Sequence, residues 1–248
     1  MLINKRTDSI LSYLKQHKKA TIDELSKALY ASESTVRRDL TDLQKSGLIA
    51  RYHGGAMILE DSGEISLFVR SEQNAQDKEQ CAAIALNYLP KFNTVFIDNS
   101  STCLALAKRL DFTNKTVITN GLQIALQLSS KRDIQLIVTG GAVNLNTSAI
   151  TGSAAVRFLE MFNVDLMLSS CASLNGDKVC ELSLETAQLK RTAMQQSRMH
   201  FLIVTKNKFS GGAPYLTETA DKFDCIITNA DDQTVNPLRE RNITVYNR

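Results

Sequence analysis

The sequence predicts two folds in tandem: a small α+β head, then an α/β body built on a mostly parallel sheet covered on both faces. Three observations lead there. Three short amphipathic helical patterns and a glycine-tipped hairpin pattern fill residues 4–59. From about residue 76 short apolar runs of strand length alternate with helical periodicity. The excess positive charge also lies at one end: residues 1–60 hold ten Lys/Arg and seven Asp/Glu, and the remainder nineteen of each. A basic head on a charge-balanced body suits binding of a polyanion through the head alone.

In residues 4–18, Ile10, Leu11 and Leu14 form one apolar stripe, which predicts the first helix. Thr21-Ile22-Asp23-Glu24 has the form of a capping box opening a helix over 22–29, with Leu25, Ala28 and Leu29 turned inward. After a turn at Tyr30-Ala31-Ser32, Ser34 is the expected N-cap of a third helix reaching about Lys45. Its apolar face is Val36, Leu40 and Leu43; Thr35, Arg37, Arg38, Thr41 and Gln44 face out, and Gly47 stops it. Residues 48–52 and 56–59, joined by His53-Gly54-Gly55, read as a two-stranded ribbon.

The polar run 60–64 opens a linker expected over 60–75. In the body, helices are expected over 78–88, from 99–101 through 110, and over 122–128, 153–161 and 184–197. Strands are expected over 94–98, 116–119, 134–138, 166–170, 201–205, 224–228 and 243–246, with a short helix between the last two.

The 43% hydrophobic content of the 248 residues excludes wholesale disorder. Five scattered cysteines (Cys81, Cys103, Cys171, Cys180, Cys225) with no CxxC pair predict buried free thiols, not a disulfide framework or a zinc site. The start is too polar for a signal peptide and no apolar run approaches membrane-spanning length, so a cytoplasmic protein without a membrane partner is expected.

The three helices and ribbon fit a helix-turn-helix, whose second helix enters the DNA major groove by its N-terminal residues. Ser34, Thr35, Arg37 and Arg38 are then the expected readers of double-stranded operator DNA, one arginine for a guanine edge and one for phosphate, in either order. Lys45 and Arg51 suit backbone contacts, and the hairpin with His53 suits the neighbouring groove. In the body, Asp98-Asn99-Ser100-Ser101-Thr102 follows a strand and opens a helix, a workable anion cradle. Gly140-Gly141 also ends a strand, and either lysine of Lys206-Asn207-Lys208 suits an anionic ligand.

Ser34-Thr35-Val36-Arg37-Arg38-Asp39-Leu40, with Leu43, Gly47 and Tyr52-His53-Gly54-Gly55-Ala56, resembles the winged helix-turn-helix of the DeoR family of bacterial sugar-metabolism regulators. That match covers residues 5–57 and implies a recognition unit over 22–40. A looser resemblance over 76–230 rests on 97–102, Thr119-Asn120, Gly140-Gly141, Gly152, Glu185 with Lys190-Arg191, and Lys208-Phe209. It implies a Rossmann-like effector domain of the ribose-phosphate isomerase and CoA-transferase type, binding a small phosphorylated sugar. The implied effector contacts are Asp98, Ser100, Ser101, Thr102, Gly140, Gly141, Glu185, Lys190 and Lys208. Two departures touch this site: Thr205 stands where the family usually has aspartate, and Asn99-Ser100 where a glycine-containing turn is common.

The expectation is a repressor of a carbohydrate operon: a DNA-binding head over 1–59, and an effector and oligomerisation domain over 76–248. Paired half-sites call for a homo-oligomer, a dimer or tetramer. No cofactor, metal or catalytic residue is expected. Isomerisation needs a proton-shuttling base; Asp98, Glu185 and Lys208 are candidate groups, but their spacing shows no convergence. Two alternatives stand beside this reading: a sugar-phosphate isomerase, and a constitutive DNA-binding protein with an oligomerisation-only body.

Overall fold

The structure is a computed structural model and describes residues 5–45, 48–52, 54–58 and 67–248. The chain divides into two compact units, Met1–Gln73 and Asn74–Arg248. Among the described residues, no helix is long and apolar enough to cross a membrane.

The first unit runs α1 (Lys5–His17), β1 (Lys19–Thr21), α2 (Ile22–Leu29), α3 (Glu33–Lys45), β2 (Ile49–Tyr52), β3 (Gly55–Ile58) and α4 (Leu67–Glu72). Ile10, Leu14, Ile22, Leu25, Val36, Leu40, Leu43 and Ile49 make its buried core. The capping box forms: the Thr21 hydroxyl accepts from the Glu24 amide at 3.2 Å, and the Glu24 carboxylate accepts from the Thr21 amide at 2.7 Å. Asp39, buried on α3, takes a bidentate grip from Arg6 of α1.

Several expectations are corrected here. Helix α3 begins at Glu33, and Ser32 rather than Ser34 caps it, its hydroxyl accepting from the Thr35 amide at 3.3 Å. Ala28 is exposed, because Ile22, Leu25 and Leu29 already fill the inward stripe of α2. The ribbon gains a third strand, in the antiparallel order β1-β3-β2. Gly55 permits that approach, since a Cβ there would lie 2.4 Å from the Ala20 carbonyl oxygen. Helix α4 lies inside the stretch read as a linker, whose residues 60–66 are outside the described set, as are Gly47 and His53.

The second unit runs α5 (Ala75–Tyr88), β4 (Thr94–Ile97), α6 (Ser101–Arg109), β5 (Lys115–Thr119), α7 (Leu122–Leu128) and β6 (Ile134–Val138). It continues through β7 (Ala142–Asn144), β8 (Ala149–Thr151), α8 (Ser153–Leu159), β9 (Val164–Ser169), β10 (Ser173–Asn175) and β11 (Lys178–Glu181). Last come α9 (Leu184–Gln195), β12 (Ser197–Val204), β13 (Tyr215–Thr219), β14 (Cys225–Thr228), α10 (Asp232–Arg239) and β15 (Val245–Tyr246). A seven-stranded sheet, ordered β15-β14-β12-β9-β4-β5-β6, is parallel throughout.

Alternation within its strands shows that both faces are covered. Phe96, Met167, Leu202 and Ile226 pack with Leu159, Leu189 and Leu238 of the helices on one side. Their neighbours Val95, Leu166, Phe201 and Ile227 pack with Cys81, Leu106 and Leu128 on the other. The chain enters the sheet at β4, winds outward through β5 and β6, then returns to the far side of β4 as β9. The carboxyl ends of β4 and β9 therefore flank a topological switch point, where open parallel sheets bind ligands. A small antiparallel sheet, β10-β11-β13, and the hairpin β7-β8 are additions that the sequence pattern did not predict.

Replacing Thr21 by alanine removes one half of the capping box. It is expected to lower the head's stability by about 0.5–2 kcal/mol in urea titrations followed by helix signal.

Candidate functional site

On α3, burial of Val36, Leu40 and Leu43 dictates the opposite face. Ser34, Arg37 and Arg38 are exposed there, and Thr35 is half-buried. Arg37 pairs with Glu33 one turn back at 3.0 Å; with both side chains more than half exposed, that pair is worth little and exchanges readily for another anion. Arg38 has no hydrogen-bond or ion-pair partner among the described residues. Arg51, expected to contact the DNA backbone, donates to the Thr41 hydroxyl at 2.9 Å, and Thr41 in turn donates to the Arg37 carbonyl. It therefore also fastens β2 to α3. The side chain of Lys45 and all of His53 lie outside the described residues.

At the switch point of the second unit the central feature is a buried ion triad. The Lys190 ammonium donates to Asp98 Oδ2 at 2.7 Å, Glu181 Oε1 at 2.6 Å and the Ser170 carbonyl at 2.8 Å. Those three bonds use all its protons. Asp98, fully buried, also accepts from the Ser169 hydroxyl, the Ser170 amide and the Ser100 amide, at 3.0, 2.9 and 3.0 Å. Burial alone would raise the Asp98 carboxyl; the Lys190 charge and these donors outweigh it and hold the group well below its usual range. Burial opposes the Lys190 charge, and the two carboxylates more than restore it.

Asp98 and Lys190 were expected to touch an effector. Both are engaged by several partners inside the domain, so they position the groups around them. What they position is the start of α6, where Ser100 caps the helix by accepting from the Cys103 amide at 3.0 Å. Ser101 and Thr102 follow, both with buried side chains. At the end of β5, Asn120 donates to the Ile150 carbonyl at 3.3 Å and more weakly to Asn99 Oδ1. Its own Oδ1 is buried without a partner among the described residues, as is the Thr139 hydroxyl at the end of β6. Unpaired buried acceptors at the carboxyl edge of a parallel sheet are the chemistry that a hydroxylated ligand satisfies.

The other expected residues are distributed more widely. Gly140 is exposed, whereas Gly141, at φ +135°, is required by packing: a Cβ there would lie 2.5 Å from the Thr151 carbonyl. Lys208, half-buried on the turn after β12, lies near enough to Cys171 for its charge to oppose the upward push of burial on that thiol. Glu185 stands exposed in the first turn of α9, accepting from the Ser183 hydroxyl. A second clamp joins the first turn of α5 to the ends of β12 and β14. Asn229 donates to Asp77 at 2.8 Å and Gln80 at 2.9 Å, accepts from the Lys206 amide, and Lys206 pairs with Asp77 at 3.2 Å.

Glu181, Ser169 and Asn229 were not singled out by sequence, and Asn120 entered only through the Thr119-Asn120 resemblance. Each is polar in an apolar strand or just past its end, and that was the available signal. Burial pushes all five thiols upward, Cys81 and Cys225 to about 12. Among the described residues no cluster of His, Cys, Asp or Glu is placed to hold a metal ion.

The DeoR-like helix-turn-helix domain matches residues 6–62, and the DeoR C-terminal sensor domain matches residues 73–230. The chain belongs to the DeoR family. It is 32% identical to the HTH-type transcriptional regulator GolR of Listeria innocua, over 90% of this chain and 89% of that one. It is 29% identical to the glycerol-3-phosphate regulon repressor of Escherichia coli, over 91% and 90%. Against the HTH-type transcriptional repressor GlcR of Bacillus subtilis the figures are 27%, over 98% and 95%. Ribose 5-phosphate isomerase A of Methanocaldococcus jannaschii aligns with 55% of each chain at 11% identity and a TM-score of 0.39. This DeoR-family protein is a DNA-binding transcriptional regulator with a C-terminal sensor domain.

Lys190→Met would leave two buried carboxylates without their cation, and is expected to cost about 3–5 kcal/mol in urea unfolding of the full chain. Because the folded Asp98 titrates below its unfolded value, the wild type holds that stabilisation at neutral pH and loses it as pH falls through the depressed range. The variant should lack this acid-linked component.

Proposed function

We propose that the protein represses a carbohydrate-utilisation operon, and that a small phosphorylated sugar bound at the carboxyl edge of the parallel sheet releases it from DNA. One observation carries the reading. A solvent-facing Arg37-Arg38 pair on α3 shares a chain with a switch-point edge that holds unpartnered buried acceptors beside a helix N-terminus. The names of two relatives, a glycerol-3-phosphate regulon repressor and the repressor GlcR, support the sign of control. In this reading Ser34, Thr35, Arg37 and Arg38 meet bases and phosphates, and the chain works in the cytoplasm as a homo-oligomer presenting paired heads to paired half-sites.

The site chemistry favours sensing over turnover. An isomerase base must be free to take a proton, and its strength falls with its pKa. Asp98 is held low and is therefore a poor base, and Glu181 is bound to the same lysine. A sensor needs only an affinity that differs between two conformations. The clamp of Asp77, Asn229 and Lys206 offers a path for that difference. It runs from the 205–208 loop to α5, the helix that opens the sensor unit.

Thermal-shift measurements across a panel of phosphorylated sugars are expected to find one that raises the melting midpoint without being converted. Conversion would favour the isomerase reading, and a flat panel the oligomerisation-only body. Arg37→Ala is expected to weaken operator binding by about 1–3 kcal/mol if the side chain reads a base. A phosphate contact would instead weaken all duplexes alike and flatten the salt dependence.

A further inference from the structure

Tyr30 sits at the turn between α2 and α3 with φ +50° and ψ +41°, the left-handed conformation. The turn closes as helix ends with a left-handed residue do: the Tyr30 amide donates to the Lys27 carbonyl and the Ala31 amide to the Ser26 carbonyl. Glycine, or asparagine, suits that position, and an aromatic side chain there is an outlier. Such a cost is ordinarily repaid by packing. Here the residue is 99% exposed, and its hydroxyl has no partner among the described residues. A large ring held in a disfavoured backbone state, and left almost wholly exposed by the described residues, is placed for something outside them.

Its surroundings name the partner. Two residues on, the Ser32 hydroxyl caps α3 and lies within 3.0 Å of Ser34 Oγ and 2.8 Å of Thr35 Oγ1, on the same leading end as Arg37 and Arg38. We infer that Tyr30 is a further DNA contact, its phenol hydroxyl donating to a backbone phosphate beside the groove that α3 enters. The inference rests on the DNA-binding reading of α3. Tyrosine donates to phosphate as a neutral group, so it adds register and affinity without releasing a counterion.

The test uses the full chain and the duplex from its own upstream region that the wild type binds. Tyr30→Phe removes the hydroxyl alone and is expected to weaken binding about tenfold, the scale of one hydrogen bond to a charged acceptor. The slope of affinity against salt should be unchanged. Tyr30→Asn, which accepts the left-handed turn, should lose at least as much affinity while melting at the same temperature as the wild type or higher. Affinity in Tyr30→Phe equal to wild type overturns the inference, as does a lower melting midpoint in Tyr30→Asn, which would make the tyrosine structural. Failure of the wild type itself to bind that duplex would instead sink the reading of α3, a result separable from both.

Discussion

A lysine ammonium sealed from water sets the terms for the sensor domain. A lone buried cation is tolerated only if it deprotonates or meets opposite charge. Lys190 meets two carboxylates, and they arrive from different parts of the chain: Asp98 from the end of β4 and Glu181 from β11. The Ser170 carbonyl after β9 completes the set. The end of β4 is thus tied to a stretch some ninety residues on, within which β9, β11 and α9 are themselves drawn to one atom. A buried ion pair is weak evidence for net stability, but its geometry admits little alternative. The consequence is local order at the sheet edge, where α6 begins.

The head solves a smaller version of the same problem. Its core among the described residues is ten apolar side chains, so the orientation of α3 depends on a few directional contacts as well as burial. Arg6 grips Asp39 on one flank, and Arg51 reaches Thr41 on another. With Val36, Leu40 and Leu43 facing in, the outward arginines need no other instruction. Charge placement and helix phase agree, which makes a DNA-binding face economical to encode.

Much of this was legible in the residues. Helix α2 and its capping box follow from Thr21 and Glu24 alone, because every interaction involved spans three residues. The inner parallel strands announce themselves as apolar runs, since burial on both faces leaves little room for polar alternation, while the edge strands β6 and β15 are only partly buried. Strands β1, β7, β8, β10, β11 and β13 carry no such mark: most are three or four residues long, and their pairing is set by distant chain. The cap of α3 was misread because Ser32, Ser34 and Thr35 offer competing hydroxyls within four positions. Lys190 and Asp98 were picked out, but their union was not. Ninety-two residues separate them, and no local period encodes a meeting of that kind.

The five buried thiols have a shared chemical consequence. Thiolate is the form that oxidants attack, and all five sulfurs are kept protonated by their apolar surroundings. Burial and a raised pKa both disfavour the thiolate at these positions. The cysteines of this domain therefore act as small apolar packing groups, including Cys171 beside the carboxyl edge of the sheet.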